Sequence, residues 1–352
     1  VSLDIEESRP DKSLRFGKAV QAIKAFNKNG AKVVVLSHLG RPDGYDKKLS
    51  LKRFQKPLEL SLKKKIVFLT GEDLALDSSA VKASKQGTVF LMENLRFNLG
   101  ETANDASFAR ALSNLGDKYV NDDFATAHRN NASNVGITKF IKGSVGPTLS
   151  DEIKNLNMVL KKFKKPFVLI VGGAKMSDKI AVIKNLIAKT DYVLVGGGVA
   201  NTFIKAGGRE IGNSIFEPHM IPVAKELLKN KKVLIPTDVI KDGEKITDIG
   251  PKTSRQFASV ISQAKTIVWG GPMGLFEDKR YSGGTKAVWK AILANYKASA
   301  VVGGGETVAS IKLVQKGWKT RKNLFLSTGG GAMLDYLAGE KLPGIEALKK
   351  SK

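Results

Sequence analysis

Two lysines flank the start of a predicted helix in the stretch FVLIVGGAKMSDKI, residues 167–180. The stretch begins with five apolar β-formers, typical of a strand buried on both faces, and a pair of glycines then lets the chain turn tightly. Ser177 or Asp178 is predicted to cap the helix that follows, so Lys175 and Lys179 would lie beside its free N–H groups. Helix N-termini favour anions such as phosphate, although an ordinary strand-to-helix connection with solvated lysines has the same pattern.

The same arrangement of an apolar run, a glycine cluster and a helical pattern recurs along the second half of the chain. In a parallel α/β sheet such turns lie at the carboxyl ends of the strands, where ligands bind. Several glycine turns on one edge would offer bare backbone amides, which suit a polyphosphate. Neither GxxxxGK[ST] nor GxGxxG occurs, so the predicted nucleotide-sized site differs from those two common types. The recurring stretches are residues 192–203, 266–276, 299–311 and 324–337.

Basic residues follow several predicted strands of the first half. Arginine forks suit carboxylate and phosphate oxygens, so three or more at one sheet edge indicate a small ligand with several negative charges. Isolated arginines in surface loops are the alternative, and it is weaker for a set than for one member. His219, outside the set, is interpreted as a surface residue. The set comprises His38, Arg41, Arg96, His128 and Arg129, and it is interpreted as a cluster of cations with no matching carboxylates nearby in sequence.

The composition restricts the class of protein. A chain of 352 residues is long enough for two hydrophobic cores, and the absence of cysteine excludes disulfides, zinc fingers and a thiol nucleophile. The apolar runs are only as long as strands, and the polar N-terminus does not resemble a signal peptide. These features indicate a soluble protein of a reducing compartment.

The formal net charge of +25 favours an anionic partner. Nucleic acid is one candidate, but the lysines stand in short runs scattered along the sequence, at 63–65, 161–165 and 229–232. Aromatic residues make up only 7% of the chain, and no RNA-binding signature accompanies them. A basic surface that attracts anionic substrates explains the charge more simply, so nucleic-acid binding is the weaker alternative and no membrane partner is expected.

Strand and helix patterns alternate in both halves, which predicts an α/β fold with parallel sheets. One further helix, expected from Asp151 to about Lys164, lies between the halves and is the natural spacer. We therefore predict a first domain over residues 1–147 together with the tail 338–352, a hinge over 148–166 and a second domain over 167–337.

Taken together, the motifs resemble those of phosphoglycerate kinase across nearly the whole chain. So many motifs in the family's order make chance, or a shared fold alone, a poor explanation. The first-half motifs are SHLGRP at 37–42, ENLRF at 93–97 and VNDDFATAHR at 120–129. The second-half motifs are VGGAKMSDKI at 171–180, VGGGVANTF at 195–203, DIGPKT at 248–253, VWGGPMGLFE at 268–277, GGGET at 303–307 and STGGGA at 327–332.

The resemblance implies a fold of two Rossmann-like three-layer parallel-sheet domains joined by a central helix, with the C-terminal tail returning to the first domain. It implies a cytoplasmic, monomeric enzyme that transfers a phosphoryl group reversibly between 1,3-bisphosphoglycerate and ADP. The products would be 3-phosphoglycerate and ATP, in glycolysis or gluconeogenesis, with Mg²⁺ bound to the ATP or ADP. A non-catalytic relative that keeps the fold and binds nucleotide is the alternative.

The resemblance also implies a role for individual residues. The implied substrate-binding residues are Asp4, Glu6, Arg15, His38, Leu39, Gly40, Arg41, Arg96 and Arg129. The implied nucleotide-binding residues are Gly173, Lys175, Lys179, Gly197, Gly270, Pro272, Glu277, Gly304, Gly305, Glu306 and Thr307. The residues implied to act on the phosphoryl group in flight are Arg15, Lys175, Gly305 and Gly330, and the implied metal ligand is Glu306.

Several positions depart from the family's pattern. Glu306 stands where the family has Asp, and it keeps the oxygen ligand on a side chain that is one methylene longer. Gly270 replaces an Asn, and Asn131 replaces a second His. The opening strand is reduced to VSLDIE. Either residues that precede Val1 in the native protein complete this strand, or the protein is a divergent member with a short first strand.

Overall fold

Contacts within the computed structural model divide the chain into two compact units. The first comprises Val1–Glu152 and Lys341–Lys352, and the second comprises Ile153–Glu340. The structure describes residues 13–70, 78–314 and 321–351. The expected first strand, with Asp4 and Glu6, lies outside these ranges. Within them, every helix is too short or too polar to cross a membrane.

The first unit is built on two small parallel sheets. β3 lies between β1 and β2 in one sheet, and β4 pairs with β5 in the other, over the strands β1 (Val33–Val35), β2 (Ile66–Leu69), β3 (Val89–Met92), β4 (Tyr119–Asn121) and β5 (Gly143–Val145). The central strand β3 is buried along its whole length, as expected of a parallel strand that is covered on both faces.

Short helices cover these sheets: α1 (Leu14–Asn27), α2 (Gln55–Leu62), α3 (Ser79–Ala83), α4 (Leu99–Ala103) and α5 (Ala106–Ser113). Local sequence explains α1 well. The hydroxyl of Ser13 accepts a hydrogen bond from the N–H of Phe16 at 3.4 Å and so caps the helix. Phe16, Val20 and Ile23 recur at helical spacing and bury one face in the core.

The helix α6 (Pro147–Lys161) contains the boundary between the two units. It begins at Pro147 rather than at Asp151, and it ends at Lys161 rather than near Lys164, so its predicted bounds are wrong. The carboxylate of Asp122 accepts hydrogen bonds from the N–H groups of Thr148 at 2.6 Å and Leu149 at 3.2 Å. A residue distant in sequence therefore caps this helix, which no local pattern reveals.

A six-stranded parallel sheet forms the centre of the second unit. Its strand order is β13-β12-β11-β6-β7-β8, and a separate antiparallel hairpin joins β9 to β10. The fully buried β6 and β11 lie at its middle. The strands are β6 (Phe167–Val171), β7 (Tyr192–Val195), β8 (Val233–Leu234), β9 (Val239–Asp242), β10 (Lys245–Ile249), β11 (Thr266–Gly270), β12 (Ser299–Gly303) and β13 (Leu324–Ser327).

The helices of the second unit are α7 (Ile180–Leu186), α8 (Gly197–Ala206), α9 (Ile221–Leu228), α10 (Pro251–Gln263), α11 (Gly283–Ala294), α12 (Gly305–Val314) and α13 (Gly331–Ala338). Strands and helices alternate, and the predicted α/β class with parallel sheets is confirmed. The β9–β10 hairpin was not predicted from the sequence. Its two-residue turn is Gly243–Glu244, and its signal was the glycine at the first turn position, which tight hairpins favour.

The C-terminal segment packs against the first unit, as predicted. Its helix α14 (Pro343–Lys350) starts where the N–H of Gly344 donates to the carbonyl of Ala127 at 2.9 Å. At its end, the hydroxyl of Ser351 accepts a hydrogen bond from the N–H of Gly143 at 3.2 Å. Two hydrogen bonds to residues far away in sequence thus hold the tail.

Candidate active site

Loops at the carboxyl ends of the first unit's strands carry the predicted basic set. Asn94 organises two of them, because its side-chain oxygen accepts hydrogen bonds from the N–H groups of Leu39 at 3.2 Å and Arg96 at 3.1 Å. Arg96 in turn donates from Nη1 to the carbonyl of Gly40. The loop after β1 and the turn after β3 are therefore fastened to each other beside Arg41.

The arginines of the set lie close enough to affect one another's ionisation. Burial lowers the pKa of Arg96, and the charges of Arg129 and Arg41 lower it further. Burial together with Arg41 likewise lowers the pKa of Arg129. The Nε of Arg96 is buried and has no hydrogen-bond partner within the described ranges. Like charges held together in this way form a strong attraction for an anion with several negative groups.

Buried carboxylates accompany these cations, so the interpretation of a cluster without matching carboxylates nearby in sequence is wrong. Glu101 is fully buried, with its Oε1 3.9 Å from Nε2 of His38. Burial raises the pKa of Glu101, which Ser133 and Asn131 partly offset by donating hydrogen bonds. Asp123 is also buried and lies near Arg129. Only its place in VNDDF could have indicated Asp123, and nothing local indicated Glu101.

His38 and Arg15 both lie near Asp123. Burial lowers the pKa of His38 to about 4, despite the opposing charge of Asp123, so its imidazole is neutral at pH 7. Arg15 is half-buried in the first turn of α1, and its charge helps to lower the pKa of Asp123. Burial alone would raise that pKa, but the hydroxyl of Thr126 also donates to the carboxylate at 2.8 Å. Arg15 therefore joins the edge that collects the other cations.

Five strands of the second unit end in the predicted glycine turns at one edge of the sheet. These turns interlock: the N–H groups of Gly172, Gly173 and Gly197 donate to the carbonyls of Gly270, Pro272 and Met273 at 2.8–2.9 Å. The expectation of bare amides is therefore wrong for these positions. A Cβ on Gly172 would clash with the carbonyl oxygen of Pro272, so glycine is needed there for close packing.

A cavity of ≈ 130 Å³ opens beside these turns. It brings together five residues of the predicted nucleotide set, which are Gly173, Gly197, Pro272, Glu277 and Glu306. The rest of the lining is mostly apolar, and sequence analysis missed it because these positions follow ordinary core patterns: Ile204, Ile215, Val239, Ile249, Leu275 and Phe276. An apolar wall with a polar mouth suits a flat, partly apolar group such as a nucleotide base.

Asp248, also missed, lies in the wall of this cavity. Its carboxylate accepts hydrogen bonds from the N–H groups of Gly284 at 2.7 Å and Ile249 at 2.9 Å. Burial nevertheless raises its pKa to about 7. The side chain also packs beneath Gly274, where a Cβ would clash with the carboxylate. Asp248 therefore holds the start of α11 and supports the loop that carries Glu277.

The two lysines of the opening stretch have different surroundings. Neither Ser177 nor Asp178 caps α7, which begins at Ile180 with Lys179 at the N-cap position. Ser177 instead donates from its N–H and its hydroxyl to the carboxylate of Glu217, at 2.9 and 2.6 Å. Its hydroxyl is thus engaged by a residue distant in sequence and does not cap the helix. Lys175 is exposed. Burial lowers the pKa of Lys179, which the charges of Asp178 and Glu306 oppose.

Glu306 lies in the first turn of α12, next to the turn after β6. A Cβ on Gly173 would stand 3.4 Å from its Oε2. The neighbouring Thr307 is fully buried, and its hydroxyl accepts the N–H of Gly271 at 2.7 Å, so its side chain ties two turns together. No group of three or more His, Cys, Asp or Glu side chains within residues 13–70, 78–314 and 321–351 could hold a metal ion.

Four other predicted glycines are not among the residues that line this cavity. Gly304 has a φ of 101° at the end of β12, and Gly330 has a φ of 49° immediately before α13. A Cβ on Gly305 would meet no heavy atom within 4 Å. Gly270 borders a separate small void of ≈ 10 Å³ that Lys179 also lines. A Cβ on Gly270 would approach no atom more closely than 3.7 Å, so a methyl group there would make ordinary van der Waals contacts.

Residues 5–340 match the family model described as phosphoglycerate kinase. The chain belongs to the phosphoglycerate kinase family. It is 40% identical over 375 residues to the phosphoglycerate kinase of Moorella thermoacetica, covering 99% of this chain and 94% of the relative. It is 41% identical over 362 residues to that of Dictyoglomus turgidum, covering 95% and 90%.

Solved phosphoglycerate kinases have the same fold. The enzyme of Coxiella burnetii superposes with a TM-score of 0.82 at 35% identity, and that of Pyrococcus horikoshii OT3 with 0.87 at 30%. Each covers 100% of this chain, and this chain covers 95% of each. The predicted family and its two-domain fold are therefore confirmed. Kinases of this family use ATP and ADP.

Proposed function

We propose that this protein is an active phosphoglycerate kinase, and that its two units bind different substrates. The observation that carries the proposal is the presence of a full set of cations in a chain of this family. The first unit supplies Arg15, Arg41, Arg96 and Arg129, and the second supplies Lys175 and Lys179. A non-catalytic relative that binds nucleotide would have no need for both groups.

The cations of the first unit would bind 3-phosphoglycerate. Its phosphate and carboxylate groups match the bidentate geometry of guanidinium groups, and Arg41, Arg96 and Arg129 already lie together. Neutral His38 would contribute a hydrogen bond and not a charge, because its pKa is about 4. Leu39 and Gly40 form the loop between these residues.

The cavity of the second unit would bind the nucleotide. Its apolar wall suits the base, and Glu277 at the cavity could accept a hydrogen bond from the ribose. The phosphates would lie toward the N-terminus of α12, where free N–H groups and the helix dipole favour anions. Lys179 faces Glu306 at that end and would contribute a partly buried positive charge.

Magnesium would enter with the nucleotide, and Glu306 fits the role of its protein ligand. A carboxylate is a hard oxygen donor, and Mg²⁺ typically takes one or two such ligands together with substrate phosphates. The carboxylate of Glu306 stands beside Gly173 at the same edge as the glycine turns. When bound, the ion would neutralise charge on the nucleotide phosphates.

The transfer itself requires positioning and charge neutralisation more than covalent chemistry. A carboxylate oxygen of 3-phosphoglycerate attacks the γ-phosphorus of ATP, the bond from that phosphorus to the β–γ bridging oxygen breaks, and ADP leaves. Arg15 and Lys175 would donate to the equatorial oxygens of the group in flight, where donors are most effective.

The proposal also includes the domain bounds and the hinge predicted from the sequence. It describes a monomeric enzyme of the cytoplasm.

A coupled assay of ATP consumption with 3-phosphoglycerate tests this function. We expect turnover that requires both 3-phosphoglycerate and Mg²⁺. Nucleotide binding by calorimetry without any turnover would support the non-catalytic alternative instead.

A further inference from the structure

The six parallel strands of the second unit all start at one edge of their sheet, opposite the glycine turns. A short segment leads into each strand, and every segment carries at least one lysine. In spatial order across the sheet, the segments are residues 321–323, 294–298, 264–265, 161–166, 187–191 and 229–232. We call this edge the lysine edge.

Nearly all the charged residues of the lysine edge are cations. The six segments contain twelve lysines and arginines and a single carboxylate, that of Asp191. Asp191 is already neutralised, because Nζ of Lys165 lies 3.3 Å from it. These twelve cations, which are scattered along the sequence, therefore lie at one edge of the sheet.

Some of these cations have structural work. Lys189 donates to the carbonyl of Leu160 at 3.3 Å, Lys232 to that of Ile187 at 3.1 Å, and Arg321 to that of Leu293 at 2.6 Å. Each of these carbonyls lies at or near the end of a helix, where basic side chains commonly satisfy unpaired carbonyls. Helix capping thus accounts for these three.

Seven other lysines of the edge have no such role. They are exposed, and within the described part of the chain they make neither an ion pair nor a side-chain hydrogen bond: Lys161, Lys162, Lys164, Lys231, Lys265, Lys297 and Lys322. Strands in a sheet are spaced by about 4.8 Å, so six of them extend this charge over about 24 Å. The result is a band suited to a linear ligand with repeated negative charge.

Two exposed tyrosines lie within the same band. Tyr296 is 70% exposed beside Lys297, and Tyr192 is 39% exposed at the start of β7. Three strand spacings separate β12 from β7, which places the two rings about 14 Å apart along the edge. The carbonyl of Tyr296 accepts a hydrogen bond from Asn323, so the backbone that presents this ring is fixed.

We propose that the lysine edge binds single-stranded nucleic acid, an activity beyond the proposed kinase reaction. Proteins that bind single strands without sequence preference combine a basic track for the phosphates with aromatic rings on which bases stack. The lysine edge has both. An anionic membrane would also attract the lysines, but an amphipathic apolar face for insertion is absent from the six segments, and the large hydrophobic residues exposed along the edge are the two tyrosines.

Fluorescence anisotropy with a labelled oligouridine of about 20 nucleotides, measured over a salt series, tests the proposal. The edge variant is K162Q/K164Q/K265Q/K297Q. Its control removes the same charge from exposed lysines of the first unit, K24Q/K28Q/K52Q/K56Q. For single strands, each phosphate that a lysine neutralises contributes about 0.7 to the slope of log K against log salt, so the slope of the edge variant should be smaller by about 3.

The control variant should keep the wild-type slope and affinity. Tyr296→Ala should weaken binding by about tenfold and leave the slope unchanged, because stacking carries no counterion release. All variants should retain wild-type kinase turnover, which shows that they fold, since the edge lies opposite the nucleotide cavity on the same sheet.

Several outcomes would overturn the proposal. An equal loss of affinity in the control variant would mean that the overall positive charge of the protein, and not the lysine edge, attracts the nucleic acid. Equal affinity for duplex and single strand, with no effect of Tyr296→Ala, would mean contact with the backbone alone. Binding to phosphatidylserine vesicles but not to oligouridine would mean a membrane surface, and no binding to either at low salt would leave the lysine edge without a polyanion ligand.

Discussion

The two candidate substrate sites handle negative charge in different ways. In the first unit, arginine side chains supply the charge, and buried carboxylates such as Glu101 and Asp123 lie among them. In the second unit, backbone hydrogen bonds from glycine N–H groups to carbonyls of a neighbouring turn hold the turns of the edge together. One site therefore depends on side-chain charge and the other on close backbone packing.

This difference determines which changes each site tolerates. Removing a charge from the first site should weaken the binding of its ligand and leave the fold intact. Adding a single carbon atom should harm the second site by separating its turns, while its charges remain.

The largest effect is expected for Gly172→Ala. The new Cβ would clash with the carbonyl oxygen of Pro272, a backbone atom that cannot turn aside. We expect a loss of about 3 kcal/mol in the free energy of unfolding, the upper range for overpacking. Gly305→Ala is the matched control, since its Cβ would meet nothing within 4 Å. Denaturant unfolding measures both, and equal stability of the two variants would contradict the packing role.

Lys175→Ala should lower turnover by about a hundredfold, the scale for loss of one electrostatic donor to a transition state. Its Michaelis constant for ATP should change little, because the contact is made mainly in the transition state. Lys179→Ala should chiefly weaken the binding of ATP and change turnover little. Lys184→Ala removes an exposed lysine of α7 and serves as the control. Near-normal turnover in Lys175→Ala would exclude the assigned role.

The buried carboxyl group of Asp248, in the wall of the cavity beside the glycine turns, makes the stability of the protein depend on pH. Its pKa of about 7 in the folded protein lies above the ordinary value of 3.8. Its contribution to stability is therefore complete below pH 3.8 and is lost as the pH rises through 7. Relative to Asp248→Asn, the wild-type protein should lose stability on the order of 3 kcal/mol between about pH 5 and 8. A pH-independent difference between the two would contradict the raised pKa.

Arg129→Ala should raise the Michaelis constant for 3-phosphoglycerate by about tenfold or more, the scale for a lost charged hydrogen bond. The constant for ATP should stay nearly unchanged, and Arg41→Ala should behave in the same way. Arg110, which stacks on the ring of Phe140 at 4.6 Å, is a control arginine of the same unit. Equal rises in both Michaelis constants would contradict a division of labour between the units.

The smallest effect is expected for Glu306→Gln, which keeps the shape of the side chain and removes its charge. Loss of the carboxylate should weaken binding of Mg²⁺-nucleotide several-fold and leave metal-free nucleotide binding nearly unchanged. Titration calorimetry with and without Mg²⁺ separates the two. Equal weakening would make Glu306 a structural residue of the α12 turn.

Much of the fold was predictable because its signals are local. The apolar spacing of α1, its Ser13 cap and the runs before each glycine cluster lie within single windows of sequence. The errors came where a distant residue intervened. Asp122 caps α6 and Glu217 binds Ser177, and in each case the partner lies far along the chain.

Sequence by itself determined the family, the alternation of strands and helices, and which residues carry charge at the turns. Tertiary structure alone decided that glycine N–H groups donate to carbonyls of a neighbouring turn, that Glu101 and Asp123 are buried among the arginines, and that scattered lysines share one edge. For the lysine edge, the physical reason is the strand order β13-β12-β11-β6-β7-β8, which places segments as distant as 161–166 and 321–323 on the same edge. That order is set by packing over the whole sheet, so no local window of sequence contains it.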